Sequence, residues 1–149
     1  MILKIKLHNL CAELLGDRLK VIQTTISNLQ NSLLSETKSS AGDKHETGRA
    51  MLQLEREKTG QQLAEIQNLQ KLLGKIDPTL VHEKAAIGSV VYTTDKNYYI
   101  SISVGEIVVD DQKFYAISGV TPMAKLLIGK SKGDKIQFRS TTFVITDIY

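Results

Sequence analysis

Tryptophan is missing from this 149-residue sequence, and no aromatic residue precedes Tyr92. Tyr92, Tyr98, Tyr99, Phe114, Tyr115, Phe138, Phe143 and Tyr149 all fall in the last part of the chain. A compact core draws on aromatic rings for their large buried area, whereas a seam between two helices is filled well by Leu and Ile. The asymmetry therefore predicts two modules of different architecture. Cysteine occurs once, at Cys11, which excludes an internal disulfide; it falls among apolar positions and reads as a small packed hydrophobe, not a nucleophile. Long apolar runs are missing too. Lys4, Lys6, His8 and Asn9 interrupt the apolar residues after Met1, so neither a signal-peptide core nor a span of about 20 apolar residues can be drawn, and a cytoplasmic location is expected. Nor does one sign of charge dominate. Nineteen basic and 16 acidic residues make a nearly balanced mixture with no concentrated basic stripe, so direct nucleic-acid binding is not demanded by charge.

What the first half does contain is helical periodicity. Leu15, Leu19, Ile22, Ile26, Leu29 and Leu33 step by 4, 3, 4, 3 and 4, a heptad seam that extends backwards through Ala12, His8 and Ile5. A returning helix is marked by Met51, Leu52, Leu54, Leu63, Ile66, Leu69, Leu72 and Leu73, with Arg56, Thr59 and Gln70 intruding where a strict seam would be apolar. Glu55, Arg56, Glu57 and Lys58 read as a solvated face. Gly74 and Asp77-Pro78 close this helix, since glycine suits a C-terminal cap and proline cannot continue the ladder. Between the two segments lies 39–48, where Gly42, Gly48 and small polar residues supply a break. Residues 1–78 are thus expected to form an antiparallel coiled-coil hairpin with its tip at 39–48, an arm roughly 50 Å long at 1.5 Å per residue. Asp43 and Glu46, three apart, fit a capping box opening the second helix; they also place two acids at the far end of that arm.

From Ile87 the period changes to that of strands. Ser89–Thr93, Tyr98–Ser103, Glu106–Val109, Lys113–Ser118, Lys135–Arg139 and Thr142–Ile148 are short β-branched and aromatic runs separated by turn residues. One helix interrupts them. Thr121 stands as its N-cap, Pro122 as its first residue and Gly129 as its stop, with Met123, Leu126, Leu127 and Ile128 read as core. Residues 79–149 are therefore expected to be a mostly antiparallel sheet with one short helix, and the chain as a whole α+β.

Two separated motifs agree with one family. Thr121-Pro122-Met123-Ala124-Lys125-Leu126-Leu127-Ile128-Gly129-Lys130, followed by Gly133-Asp134, resembles the Ser-Pro-x-Ala-x-x-Leu-Ile-Gly-Lys segment of the bacterial Gre transcription elongation factors. Gly42-Asp43-Lys44-His45-Glu46 is similar to the Gly-Asp-x-x-Glu at the coiled-coil tip of that family. In the right order, joined by a hairpin and a sheet of suitable size, they cover nearly the whole chain. The resemblance implies an FKBP-like C-terminal domain at 79–149 that docks at the rim of the RNA polymerase secondary channel, with Thr121 and Pro122 gripping the rim. It implies a coiled coil that enters the channel, and a tip where Asp43 and Glu46 help hold a second Mg²⁺ shared with the polymerase active site, so that the polymerase cleaves backtracked RNA. On this reading the chain is not an enzyme by itself, meets nascent RNA only indirectly and works as a monomer.

The tip departs from the family pattern after Glu46. Where the family continues Asn-x-Glu-Tyr, this chain has Thr47, Gly48, Arg49 and Ala50, and Lys44 and His45 add positive charge beside the acids. These changes lower the local negative potential. A secondary-channel regulator without efficient cleavage is accordingly the leading rival. A prolyl isomerase would need a free aromatic-lined pocket in the sheet. A purely structural dimeriser would show a concentration-dependent mass. Phosphate loops, nucleophile elbows and Cys/His metal spacings are not found in the sequence.

Overall fold

A computed structural model describes residues 2–38 and 42–149, together with their side chains apart from those of 36–38 and 42–46. Two long helices come first, α1 (Ile2–Lys38) and α2 (Gly42–Gly74). They are followed by β1 (Val90–Thr93), β2 (Tyr98–Ser101), β3 (Gly105–Val109), β4 (Gln112–Ser118), α3 (Pro122–Leu127), β5 (Lys135–Phe138) and β6 (Thr141–Ile148). The residues group into two compact units, one made of Met1–Leu14 with Gln70–Tyr149 and the other of Leu15–Leu69.

In the hairpin unit the helices run antiparallel. Asp17, Arg18, Val21 and Ile22 face Gln62, Glu65 and Ile66 across one groove, and Asn31, Ser32 and Ser35 face Gly48, Met51 and Leu52 across another. Leu15 and Ile66 are buried, whereas Leu19, Ile22, Ile26, Leu29 and Leu33 are half-buried, as expected of a seam covered by a single partner helix. Arg56 is exposed, and Thr59 takes the inward position, 3% exposed with its hydroxyl donating to the Glu55 carbonyl at 2.8 Å. Its own helix satisfies this polar group, so it can sit in the seam without a partner across it. Gly48, expected in the break, lies inside α2.

The sheet has the order β3-β4-β2-β1-β6-β5. Four neighbouring pairs are antiparallel and one, β2 with β4, is parallel in the register Tyr98↔Tyr115 to Ser101↔Ser118. This is the mostly antiparallel sheet with a short helix that the sequence implies. The β3–β4 turn is made by Asp110 and Asp111 at φ 52° and 60°, the left-handed pair that a two-residue hairpin needs and that Asp tolerates.

Every residue of β2 is buried because both faces of the strand are covered. Tyr98 and Ile100 join a core with Val91, Leu127, Ile136 and Phe143. Tyr99 and Ser101 point the other way, Tyr99 hydrogen-bonding His8 and Ser101 meeting Cys11 of α1. The part of α1 up to Leu14 thus belongs to the sheet's second layer, and this corrects the backward extension of the heptad. Below Leu15 the buried positions are Cys11, Leu7 and Lys4, while Ala12 is exposed and His8 and Ile5 are half-buried. A helix facing a sheet presents a different stripe from one facing a single helix, and steps of 3, 4 and 4 from Lys4 keep to the 3.6-residue period in place of 3.5.

Candidate functional site

The segment carrying Thr121 and Pro122 is built by its local sequence. Thr121 is extended at φ −70° and ψ 152°; its hydroxyl accepts from the Ala124 N–H at 3.3 Å and donates to the Ser118 carbonyl at 2.8 Å. One side chain thereby closes the end of β4 and caps α3. Pro122 opens the helix, where its missing N–H costs nothing, and its ring is exposed. Ala124 and Leu127 are fully buried and Met123 packs against the core. Gly129, at φ +87°, ends the motif and donates its N–H to the Ala85 carbonyl at 2.7 Å.

Leu126 and Ile128 do not join the core; they are 36% and 37% exposed. A six-residue helix has too little circumference against the sheet to bury all four apolar residues. Ile128 belongs instead to an apolar surface with Ile87, since a Cβ built on Gly119 would stand 3.1 Å from Ile87 Cδ1 and 3.9 Å from Ile128 Cδ1. Val120 beside it is 78% exposed. Sequence reasoning named Thr121 and Pro122 but not Ile87 or Val120, which carry no pattern of their own.

At the hairpin tip, Asp43 and Glu46 occupy backbone positions of α2 within its first two turns. Their side chains, and residues 39–41, lie outside the described residues. Among the described residues no three His, Cys, Asp or Glu side chains converge as a metal would require.

A third grouping of polar residues lies under the sheet, at the base of α1. Lys4 is fully buried, its ammonium donating to the Leu80 carbonyl at 2.5 Å and standing 3.4 Å from His82 Nδ1. Ser89 Oγ lies 2.9 Å from the same nitrogen and accepts from the Ala86 N–H. Burial lowers the pKa of Lys4, opposed by Asp77, and lowers that of His82, helped by Lys4. His8 Nδ1 meets Tyr99 Oη at 2.9 Å. Burial pushes the Cys11 thiol up to about 11, the Ser101 hydroxyl opposing it weakly, which makes the side chain the inert packed residue expected of it. None of these groups faces an open cleft of aromatic side chains. Tyr98 is 5% exposed, and Tyr115 and Phe138 pack against the same core, while Tyr92 and Tyr149 line an open groove with Thr146 and Asp147.

No family model and no curated protein matches the chain. Among solved structures the chain is similar to one described as "Structure of the transcription factor Gfh1", with 17% identity over 92% of each chain and a TM-score of 0.36.

Proposed function

We propose that this chain acts on bacterial RNA polymerase as a Gre-like elongation factor, its hairpin entering the secondary channel and its tip stimulating the polymerase's own cleavage of backtracked RNA. The observation that carries this reading is the Thr121–Lys130 segment. Its capping threonine, exposed proline, two buried helix positions and left-handed glycine form one unit, placed beside exposed Ile87, Val120 and Ile128. A surface of that kind, apolar and rimmed by polar groups, suits a protein partner. The unit follows a two-helix hairpin in the order that the resemblance requires.

On this reading the protein contributes position and charge, and the polymerase performs the chemistry. Asp43 and Glu46 are hard oxygen donors, the set that suits Mg²⁺, which takes one or two carboxylates and fills its other positions with water and substrate phosphates. A second Mg²⁺ held there supplies stabilisation of attacking or leaving oxygens in phosphodiester hydrolysis. The test is cleavage of backtracked RNA by the cognate polymerase, comparing the wild type with Asp43→Ala/Glu46→Ala. Stimulation lost in the double variant, with polymerase binding retained, supports the tip mechanism.

A second reading, a channel regulator without efficient cleavage, is favoured by Lys44, His45 and Arg49 beside the acids. Its signature is a wild-type protein that displaces a known cleavage factor from polymerase yet stimulates no cleavage. In either case the protein is proposed to work as a monomer in the cytoplasm. No helix among the described residues is long and apolar enough to cross a membrane.

A further inference from the structure

The net charge of +3 is unevenly placed. Residues 125–139 hold Lys125, Lys130, Lys132, Lys135 and Arg139 against Asp134 alone, a net +4, which leaves the rest of the chain at −1. The overall balance concealed this concentration, and the fold sharpens it. Lys84 and Ser131 form an isolated antiparallel bridge, which sets Lys84 opposite Ser131, the residue between Lys130 and Lys132. Gly133 then turns the chain into β5, an edge strand, along which Lys135 and Gln137 share one face by the two-residue period, and Arg139 follows directly at φ 56°. All six basic residues, Lys84 included, are exposed. Lys6 pairs with Asp110 and Lys113 with Glu106, both elsewhere on the sheet unit. The one acid of the segment is already engaged, Asp134 Oδ2 accepting from the Ser131 N–H at 2.8 Å.

We propose that this basic edge docks on the phosphodiester backbone of duplex DNA. Lysine on an edge strand also discourages strand pairing, but Lys84, Lys130 and Lys132 stand outside β5 and serve no such purpose. A protein partner would be met by apolar or aromatic anchors. Lys125 and Lys130 flank exposed Leu126 and Ile128, which belong to the apolar surface already described, but from 131 to 142 the exposed or half-exposed neutral side chains are Ser131, Gln137, Ser140, Thr141 and Thr142, and Phe138 lies under the Arg139 guanidinium at 5.1 Å. Hydroxyls and an amide among cations are donors for phosphate oxygens. Single strands are held largely by stacking on aromatic rings, and this edge offers no free ring. A duplex presents a rigid, dense array of phosphates that such a surface can meet without reading bases.

The experiment is fluorescence anisotropy of a labelled 20-base-pair duplex of mixed sequence with the full chain, without polymerase, so that its failure is separate from failure of the polymerase reading. With three to five phosphates neutralised, affinity should fall roughly 40- to 500-fold between 50 and 200 mM salt. Lys130→Glu/Lys132→Glu/Lys135→Glu should abolish binding at 50 mM salt, and the milder Lys130→Gln/Lys132→Gln/Lys135→Gln should weaken it and flatten the salt slope. Circular dichroism checks that both variants fold. Lys20→Glu/Lys58→Glu/Lys71→Glu, with the same change in net charge, should bind much as the wild type. The proposal is overturned by no binding at 50 mM salt, by equal losses in the two charge-reversed sets, or by tighter binding to single-stranded RNA or to polyglutamate than to the duplex.

Discussion

His8 of α1 and Tyr99 of β2 share a 2.9 Å hydrogen bond between Nδ1 and Oη, joining residues 91 apart in sequence. Burial lowers the pKa of His8 below its ordinary 6.5, with Asp77 opposing, and burial also lowers that of His82. A histidine whose folded pKa is depressed lets the unfolded chain bind protons first. Stability is therefore fully present above about pH 6.5 and falls as the pH drops through the depressed folded values. The urea midpoint should decrease from pH 7.5 to pH 5.5, and His8→Gln, which keeps an acceptor for Tyr99, should reduce that dependence. An unchanged midpoint across this range would contradict the assignment.

Lys4 tests the polar group under the sheet. Lys4→Ala should cost about 2–4 kcal/mol by leaving a cavity and unpairing the Leu80 carbonyl. Lys4→Met keeps the apolar stem and loses only the hydrogen bond to the Leu80 carbonyl, so it should cost about 1 kcal/mol. Urea unfolding of the two variants measures the difference. Equal losses would mean that the charge, not the stem, stabilises this site.

Thr121 has two roles that a pair of substitutions can separate. Thr121→Ala removes the cap and should cost about 1 kcal/mol, while Thr121→Ser keeps the oxygen and should cost a few tenths. If the residue also grips a polymerase surface, Thr121→Ala should weaken polymerase binding by more than Val120→Ser, which touches only the neighbouring apolar surface. Calorimetric or fluorescence titration against the polymerase reads this out.

Arg49 stands where the Gre resemblance would place a further acid. Arg49→Glu should make the tip more negative and raise stimulated RNA cleavage roughly 2- to 10-fold, equivalent to about 0.4–1.4 kcal/mol of transition-state stabilisation. A cleavage rate unmoved by this change would assign the limiting step elsewhere.

Local signals account for what the sequence disclosed. All six strands were legible because β-branched and aromatic runs alternate with turn residues, and α3 because Thr121, Pro122 and Gly129 each have a backbone reason for their place. The parallel pairing of β2 with β4 was not legible, since it depends on β3 folding outward beyond β4. Neither was the burial of Lys4, whose partners Leu80 and His82 lie more than seventy residues away. The heptad ran too far back for the same kind of reason. Periodicity records that a helix has an inner face, but not that the surface it faces changes between Leu15 and Cys11. At the tip, Asp43 and Glu46 rest on sequence alone.

The coverage of β2 by the start of α1 has a consequence for synthesis. Leu7 and Cys11 are made long before Tyr99 and Ser101, and at about 5–20 residues per second the delay is roughly 5–20 s. During that interval the apolar stripe that will close the sheet's second layer has nothing to cover it, while the nascent hairpin already has its own partner strand of helix. Ordered emergence thus leaves the earliest residues exposed to the cell's chaperones until among the last, and contacts this distant in sequence make for a slow-closing unit.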